Sequence, residues 1–200
     1  MLKGRLKSQI EFIIEVDKLK NIIRRSHITD GSKLENDAEH SWHLALMAFI
    51  LSEHASYNDI DVLKVMKMVI IHDLVEIDAG DTYAYDEKGH EDKREREVKA
   101  ANRIFTILPK DQAEELFDLW EEFEERETKE AKFASVLDRI QPILLNYTAD
   151  GKSWKENRVS KQMVIARNKH TNEGSKIIWN YIETIIDEAT EKGFLIDDGI

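Results

Sequence analysis

One stretch, residues 68–81, constrains the fold of this chain more than any other. It reads Met-Val-Ile-Ile-His-Asp-Leu-Val-Glu-Ile-Asp-Ala-Gly-Asp, so that His72, Asp73, Glu76 and Asp81 are embedded among Val, Ile and Leu. Burying such ionisable groups without partners costs on the order of several kcal/mol. A stable fold must therefore bring a cation or complementary side chains to this stretch. We interpret the stretch as the floor of an active site.

The rest of the chain is patterned for helices. Apolar residues recur with helical spacing almost throughout, and only two prolines and eight glycines interrupt them. We expect a first helix that ends near Arg24-Arg25, a second from about Asp37 to Ser56, a third from Ile60 to about Ile77, and an irregular loop over 78–89. With no linker, repeat or low-complexity segment, residues 1–200 predict a single all-α domain.

Composition narrows the partners and the metal chemistry. The 40 acidic and 29 basic residues give a net charge of −11, which argues against a nucleic-acid duplex as the main ligand. The chain has no cysteine, so any metal must be held by His, Asp and Glu. There is no secretory signal and no apolar run long enough to cross a bilayer, which predicts a cytoplasmic protein without membrane contact.

The His72-Asp73 pair has two interpretations. Alone, it is more often a core histidine bonded to a neighbouring carboxylate than a metal site. Glu76 shares its helical face, at four residues from His72 and three from Asp73. Several carboxylates crowded into an apolar helix repel one another unless a cation neutralises them, so with Asp81 close by a metal site becomes the favoured interpretation.

Further ligands must come from elsewhere in the chain. His40 and His43 are spaced i,i+3 on one helix, and either could reach across to the pair. Asp138 interrupts an otherwise apolar stretch, although it could instead pair with Arg139. Two histidines and two aspartates would neutralise a divalent ion and suit several metals without strong selectivity.

The ordered set of His40, His72-Asp73 and Asp138 resembles the signature of the HD-domain superfamily of metal-dependent phosphohydrolases. Residues 35–48 and 71–81 are similar to the branch that contains bacterial and eukaryotic 5′-deoxynucleotidases. The resemblance covers about residues 19–146. It implies an HD-type helical bundle.

The resemblance also implies roles for individual residues. It implies four ligands for one divalent ion (Mn, Co, Fe, Zn or Mg), namely His40, His72, Asp73 and Asp138. Glu76 and Asp81 would form the catalytic acidic pair near the attacking water and the leaving oxygen. Arg24 would bind the phosphate of the substrate.

One departure concerns the sugar pocket. Relatives that prefer deoxyribose tend to have an Arg-Trp pair where this chain has Arg24-Arg25. Arg25 would be either a second phosphate contact or a solvated cation at a helix C-terminus, and we favour the solvated cation. The choice between ribose and deoxyribose therefore stays open at the level of sequence.

The predicted function is a metal-dependent phosphomonoesterase that hydrolyses (deoxy)nucleoside 5′-monophosphates to nucleoside and phosphate. The alternatives are an HD-type hydrolase of another phosphate ester, such as a nucleoside triphosphate or a cyclic phosphodiester, and a non-catalytic nucleotide- or metal-sensing module. Long amphipathic helices, four tryptophans and the resemblance itself favour a homodimer.

Overall fold

The structure is a computed structural model that describes residues 4–86 and 88–199. Its α-helices are α1 Arg5–Val16, α2 Asp37–Leu51, α3 Val62–Ile71, α4 Glu76–Ala79, α5 Lys93–Phe105, α6 Lys110–Glu125, α7 Lys129–Thr148, α8 Lys152–Glu156, α9 Lys161–Asn168 and α10 Lys176–Glu191. Short 3₁₀ helices cover Asp17–Asn21, Ser52–His54, His72–Val75 and Lys169–Glu173. The predicted all-α class is confirmed. Within the described ranges, no helix is both long enough and apolar enough to span a bilayer.

A small antiparallel sheet corrects the predicted course of the first helix. Strands β1, Ile23–His27, and β2, Leu34–Asn36, pair with Ile23 opposite Asn36. The prediction that the first helix continues to Arg24-Arg25 is wrong, because the backbone is already extended at Ile22 and the Ile22 carbonyl accepts from the N–H of Asp37 at 3.1 Å. Arg24 consequently lies on a strand beside the start of α2.

The predicted third helix is also not continuous. It begins at Val62, after the N-cap Asp61, and changes from α to 3₁₀ geometry at His72. His72 Nδ1 lies 2.9 Å from the Val69 carbonyl oxygen. A continuing α-helix would pair that carbonyl with the N–H of Asp73, so the side chain competes with the helical hydrogen bonds at the point where the ionisable residues begin.

The core brings distant segments together around α7. Helices α2 and α3 pack on each other and on α7, and α10 covers another side of α7. Leu44, Met68 and Leu137 are fully buried where α2, α3 and α7 meet. His40 and Gln141 are equally buried in the same core, so two polar side chains occupy positions that packing alone would assign to apolar residues.

Candidate active site

Four ionisable side chains converge where α2, the segment after α3, and α7 meet. His40 Nε2 lies 3.2 Å from Asp138 Oδ1 and 3.8 Å from Asp73 Oδ2. His72 Nε2 lies 3.1 Å from Asp73 Oδ1 and 3.7 Å from Asp138 Oδ1. His40, His72 and Asp73 each offer a ligand atom within 4.8 Å of the other two. The structure thus brings together all four predicted ligands, with Asp138 against both histidines.

Each histidine of this cluster is oriented by its other ring nitrogen. His40 Nδ1 lies 3.0 Å from Gln141 Oε1, and His72 Nδ1 lies 2.9 Å from the Val69 carbonyl. Both partners are acceptors, so Nδ1 carries a proton in each ring and Nε2 turns towards the cluster. Gln141 is itself fixed, because its amide nitrogen donates to Glu35 Oε1 at 2.6 Å.

The cluster fits a divalent ion. His72 Nε2 is buried and, among the described residues, makes no hydrogen bond of acceptable geometry. A buried nitrogen that lies beside carboxylates without an aligned hydrogen bond is poorly satisfied, and a metal ion is a partner that would satisfy it. Two histidines and two carboxylates are also a donor set that divalent metals accept. The structure therefore contains a His/Asp group able to hold a metal.

Without an ion, the attraction between protonated histidine and the neighbouring carboxylates stabilises the cluster. Burial opposes charging of His72, but its interactions with the carboxylates of Asp73 and Asp138 outweigh burial and raise the pKa of His72 to about 10. Burial disfavours the charged form of Asp138, yet its interactions with His40 and His72 hold its pKa well below the usual value. The residues thus form a tight ion-paired group. A metal ion that binds there would replace the proton on His72.

Arg24 faces this cluster from β1, and its guanidinium group already contacts three carboxylates. Its Nη1 lies 3.0 Å from Asp37 Oδ1 and 2.9 Å from Asp73 Oδ2, and its Nε lies 3.6 Å from Glu35 Oε2. Glu35 and Asp37 are buried. Burial and the charge of Asp73 raise the pKa of Asp37 to about 6 despite Arg24. Arg24 therefore orients and neutralises carboxylates at the floor of the site.

Glu76 and Asp81 lie beside the cluster, as their position in the sequence suggested. Glu76 is buried, one of its carboxylate oxygens lies within 4.8 Å of oxygens of Asp37 and Asp73, and burial with these charges raises its pKa well above the usual value. Burial likewise raises the pKa of Asp81, although Arg24 opposes the shift. Gly80 precedes Asp81 with φ +75°, a left-handed conformation that turns the chain back towards the site.

A cavity of about 160 Å³ opens above these residues. Asp73, Glu76 and Asp81 are among the residues that line it. Arg139 and Arg167 line it too, and neither was singled out as a site residue from the sequence. The cavity is therefore a polar cleft with acidic and basic walls.

Arg25 lines the same cavity, which corrects its predicted place. It lies on β1 rather than at a helix C-terminus, and its guanidinium carbon is 5.8 Å from the centre of the Tyr83 ring. Tyr83 and Tyr85 belong to the loop after Asp81, and their ring centres are 5.5 Å apart. The wall of the cavity at this point thus consists of an arginine and two tyrosines.

The buried partners of the cluster are much harder to identify from the sequence than its ligands. Glu35 and Asp37 flank Asn36, the N-cap of α2, where acidic residues are ordinary and need no burial. Gln141 follows Asp138 by one helical turn within an apolar stretch, and that interruption is the signal that could have identified it. His43 contacts Gln141 at 3.2 Å and stands outside the cluster, which leaves His40 as the histidine that α2 contributes.

Comparison with known proteins identifies the family to which this chain belongs. The family model described as "HD domain" matches residues 16–179. The human protein named 5′-deoxynucleotidase HDDC2 is 30% identical over 139 residues, which cover 69% of this chain and 66% of that protein. Its Dictyostelium discoideum counterpart is 29% identical over 163 residues, covering 78% of this chain and 86% of that protein.

A solved structure extends the match to nearly the whole fold. It is described as a predicted metal-dependent phosphohydrolase from Magnetospirillum magnetotacticum, with 48% identity, a TM-score of 0.92, and coverage of 96% of this chain and 95% of that one. The predicted resemblance to the HD-domain superfamily is confirmed at the level of sequence and of structure. The chain belongs to the HD-domain family.

Proposed function

We propose that this protein is a metal-dependent phosphomonoesterase that hydrolyses (deoxy)nucleoside 5′-monophosphates to nucleoside and inorganic phosphate. The observation that carries the proposal is the buried cluster of His40, His72, Asp73 and Asp138 at the floor of a cleft with arginines in its wall. The names of the human and Dictyostelium relatives, both 5′-deoxynucleotidases, support the same substrate class.

The four residues of the cluster would hold one divalent ion, with Mn, Co, Fe, Zn and Mg as the candidates. His40 and His72 would bind through Nε2, the nitrogen that the partners of Nδ1 leave facing the cluster. When bound, the ion would polarise a phosphate oxygen and a water molecule. The partner of His40, Gln141, would keep that ring in the tautomer that binds metal.

Glu76 and Asp81 would carry the protons of the reaction. The water oxygen attacks phosphorus in line as the bond from phosphorus to O5′ breaks. Glu76 takes the proton of the water, and protonated Asp81 gives one to O5′, so the nucleoside leaves neutral. Burial and the neighbouring carboxylates raise the pKa of Glu76, and burial raises the pKa of Asp81, so both groups hold a proton more readily than an exposed carboxyl group does.

Arg24 would contact the phosphate with N–H groups that its carboxylate partners leave free. Its Nη1 is held between Asp37 and Asp73, which restrains the guanidinium group, and Arg24 lines the cavity in which the phosphate would bind. Arg25 and Tyr83 would form the wall beside the sugar.

A phosphate-release screen tests the proposal. The purified protein is loaded separately with Mn, Co, Fe, Zn and Mg and offered ribo- and deoxyribonucleoside 5′-monophosphates, triphosphates and cyclic phosphodiesters. Release from monophosphates alone supports the proposed function. Release from the other esters supports another HD-type hydrolase, and thermal stabilisation by a nucleotide without any release supports a sensor.

The homodimer and the cytoplasmic location are also part of the proposal. On α2, Trp42, Leu46, Phe49 and Ile50 are all exposed, Trp42 by 66% and Phe49 by 65%. Their spacing places them on one face of the helix, opposite the face that carries His40 into the core. Exposed apolar clusters of this kind commonly mark protein interfaces, and we assign this one, the α2 patch, to a second copy of the chain.

A further inference from the structure

The floor of the cleft carries more negative charge than an anionic substrate tolerates. Six carboxylates surround the proposed metal position: Glu35, Asp37, Asp73, Glu76, Asp81 and Asp138. Even with Glu76 and Asp81 protonated, the other four carboxylates outnumber the three positive charges that Arg24 and a divalent ion would supply. A phosphate monoester brings up to two further negative charges, so its binding needs cations beyond Arg24 and the ion.

Two of the other cations that line the cleft are poorly placed for this purpose. Lys93 pairs with Glu97 at 3.2 Å and is also near Glu124, so its charge is already neutralised. Arg25 is exposed and lies over the Tyr83 ring, so water screens its charge. Neither residue is suited to neutralise the reacting group.

Arg139 and Arg167 differ from these cations. Arg139 Nε is buried and, among the described residues, makes no hydrogen bond. Its single ion pair among those residues is with Asp138, at a long 3.7 Å from Oδ2. Arg167 takes part in no ion pair with a described residue, and its Nη1 donates to the Ala84 carbonyl at 2.9 Å. Both side chains thus keep donors available inside the cleft.

The two guanidinium groups line the same cleft, and their positive charges oppose each other. Burial lowers the pKa of Arg167 to about 10, and the positive charge of Arg139 adds to that effect. Two cations held together in a partly buried cleft raise the free energy of the folded protein unless an anion joins them. They come from different helices, α7 and α9, and both line the same cleft.

We propose that Arg139 and Arg167 form a two-arginine clamp for the phosphate group that the protein hydrolyses. This inference rests on the proposed function. Arg139 directly follows Asp138, so one turn of α7 would supply both a ligand of the ion and a ligand of the phosphate. The planar guanidinium groups can each donate two parallel hydrogen bonds to phosphate oxygens.

Binding of inorganic phosphate to the metal-loaded protein tests the clamp without requiring turnover. Calorimetry is performed on Arg139→Gln, Arg167→Gln and the matched control Lys132→Gln. Lys132 is a cation two turns earlier on α7 that pairs with Glu173 at 3.3 Å and does not line the cleft. We expect the Kd for phosphate to rise about tenfold or more in each arginine variant and less than about twofold in the control.

Four further measurements separate a clamp from a structural role. Metal content and melting temperature show that each variant is folded and loaded. The Kd for a neutral nucleoside should stay unchanged in Arg167→Gln, because the clamp contacts phosphate alone. Arg139→Lys should recover part of the phosphate affinity, because it keeps the charge. If Arg139→Gln does not fold, Arg167→Gln on the separate helix α9 carries the test.

The outcomes separate this inference from the proposed function. Phosphate affinity in both arginine variants equal to that of Lys132→Gln would overturn the clamp, even if nucleotides are hydrolysed. Loss of phosphate binding in the arginine variants of a protein that releases no phosphate from any nucleotide would support the clamp and refute the nucleotidase.

Discussion

At the residue scale, the proposed metal site depends on the hydrogen bonds behind its ligands. Gln141 and the Val69 carbonyl accept from the Nδ1 atoms of His40 and His72, so both Nε2 atoms face the same point. A histidine without such a partner would divide its population between two tautomers and lose metal affinity. The buried amide of Gln141 is thus as much a part of the site as the side chains that would touch the ion.

Removing a ligand should remove metal and activity together. We expect His72→Ala and Asp73→Ala to lose the bound ion in elemental analysis and to lose phosphatase activity by about a thousandfold, because the ion would supply much of the electrostatic stabilisation of the transition state. His43→Ala, which changes a histidine of α2 outside the cluster, is the matched control and should retain both. An active His72→Ala protein without metal would refute the mechanism.

Metal binding should strengthen as the pH rises. In the metal-free protein the pKa of His72 is about 10 against an ordinary 6.5, so the ion must displace a proton at neutral pH. The proton on His72 stabilises the metal-free fold fully below about pH 6.5, and that contribution is lost as the pH rises through about 10. The increase in melting temperature caused by metal should therefore grow from pH 7 to pH 9.

Scanning calorimetry with and without metal measures this dependence. His72→Ala serves as the control for metal added without a site, because it should bind no ion and its melting temperature should not change with metal at either pH. If the increase in melting temperature caused by metal is no larger at pH 9 than at pH 7, the displaced proton does not belong to His72.

The residues of the cluster differ in how far the sequence could predict them. His72, Asp73 and Asp138 interrupt apolar runs, and polar residues at core positions are visible without a structure. Asp37 is indistinguishable in sequence from an ordinary acidic residue in the first turn of a helix. Arg139 and Arg167 depend on the approach of two helices, which no local pattern encodes.

At the element scale, helix ends place the ligands. Asn36 caps α2 reciprocally with Glu39: its side chain accepts from the Glu39 N–H at 2.9 Å, and Glu39 Oε2 accepts from the Asn36 N–H at 3.1 Å. This capping box fixes where α2 begins, one turn before His40. A signal of this kind is local, so the start of α2 at Asp37 was predictable. The strand at Arg24 was not, because it exists only through its pairing with β2.

Removing this cap should destabilise the protein measurably. We expect Asn36→Ala to lower the free energy of unfolding by about 1 kcal/mol, because the Glu39 N–H loses its acceptor. Asn36→Ser keeps an acceptor at this position and should lie within about 0.5 kcal/mol of the parent protein. Urea denaturation followed by circular dichroism measures both. Equal midpoints for Asn36→Ala and the parent would show that the capping box contributes nothing.

At the scale of the whole molecule, the α2 patch should decide the oligomeric state. We expect the parent protein to sediment as a dimer and Phe49→Glu as a monomer, because a buried carboxylate without a partner disfavours association. Ile177→Glu is the control, since Ile177 is 64% exposed on α10, outside the patch. A parent protein that sediments as a monomer, or a dimeric Phe49→Glu, would refute the assignment of the patch.

The ligands are also far apart along the chain, and this has a consequence for the life of the protein. His40 and Asp138 are separated by 98 positions, and their contact joins α2 to α7. An ion bound between them closes that long loop and binds only the folded chain, so it suppresses the openings that expose backbone amides. Hydrogen exchange should slow in α2, the end of α3 and α7 together when metal is added. Cells short of the ion would then hold a protein that proteases degrade sooner, so metal supply would set the abundance of the chain as well as its chemistry.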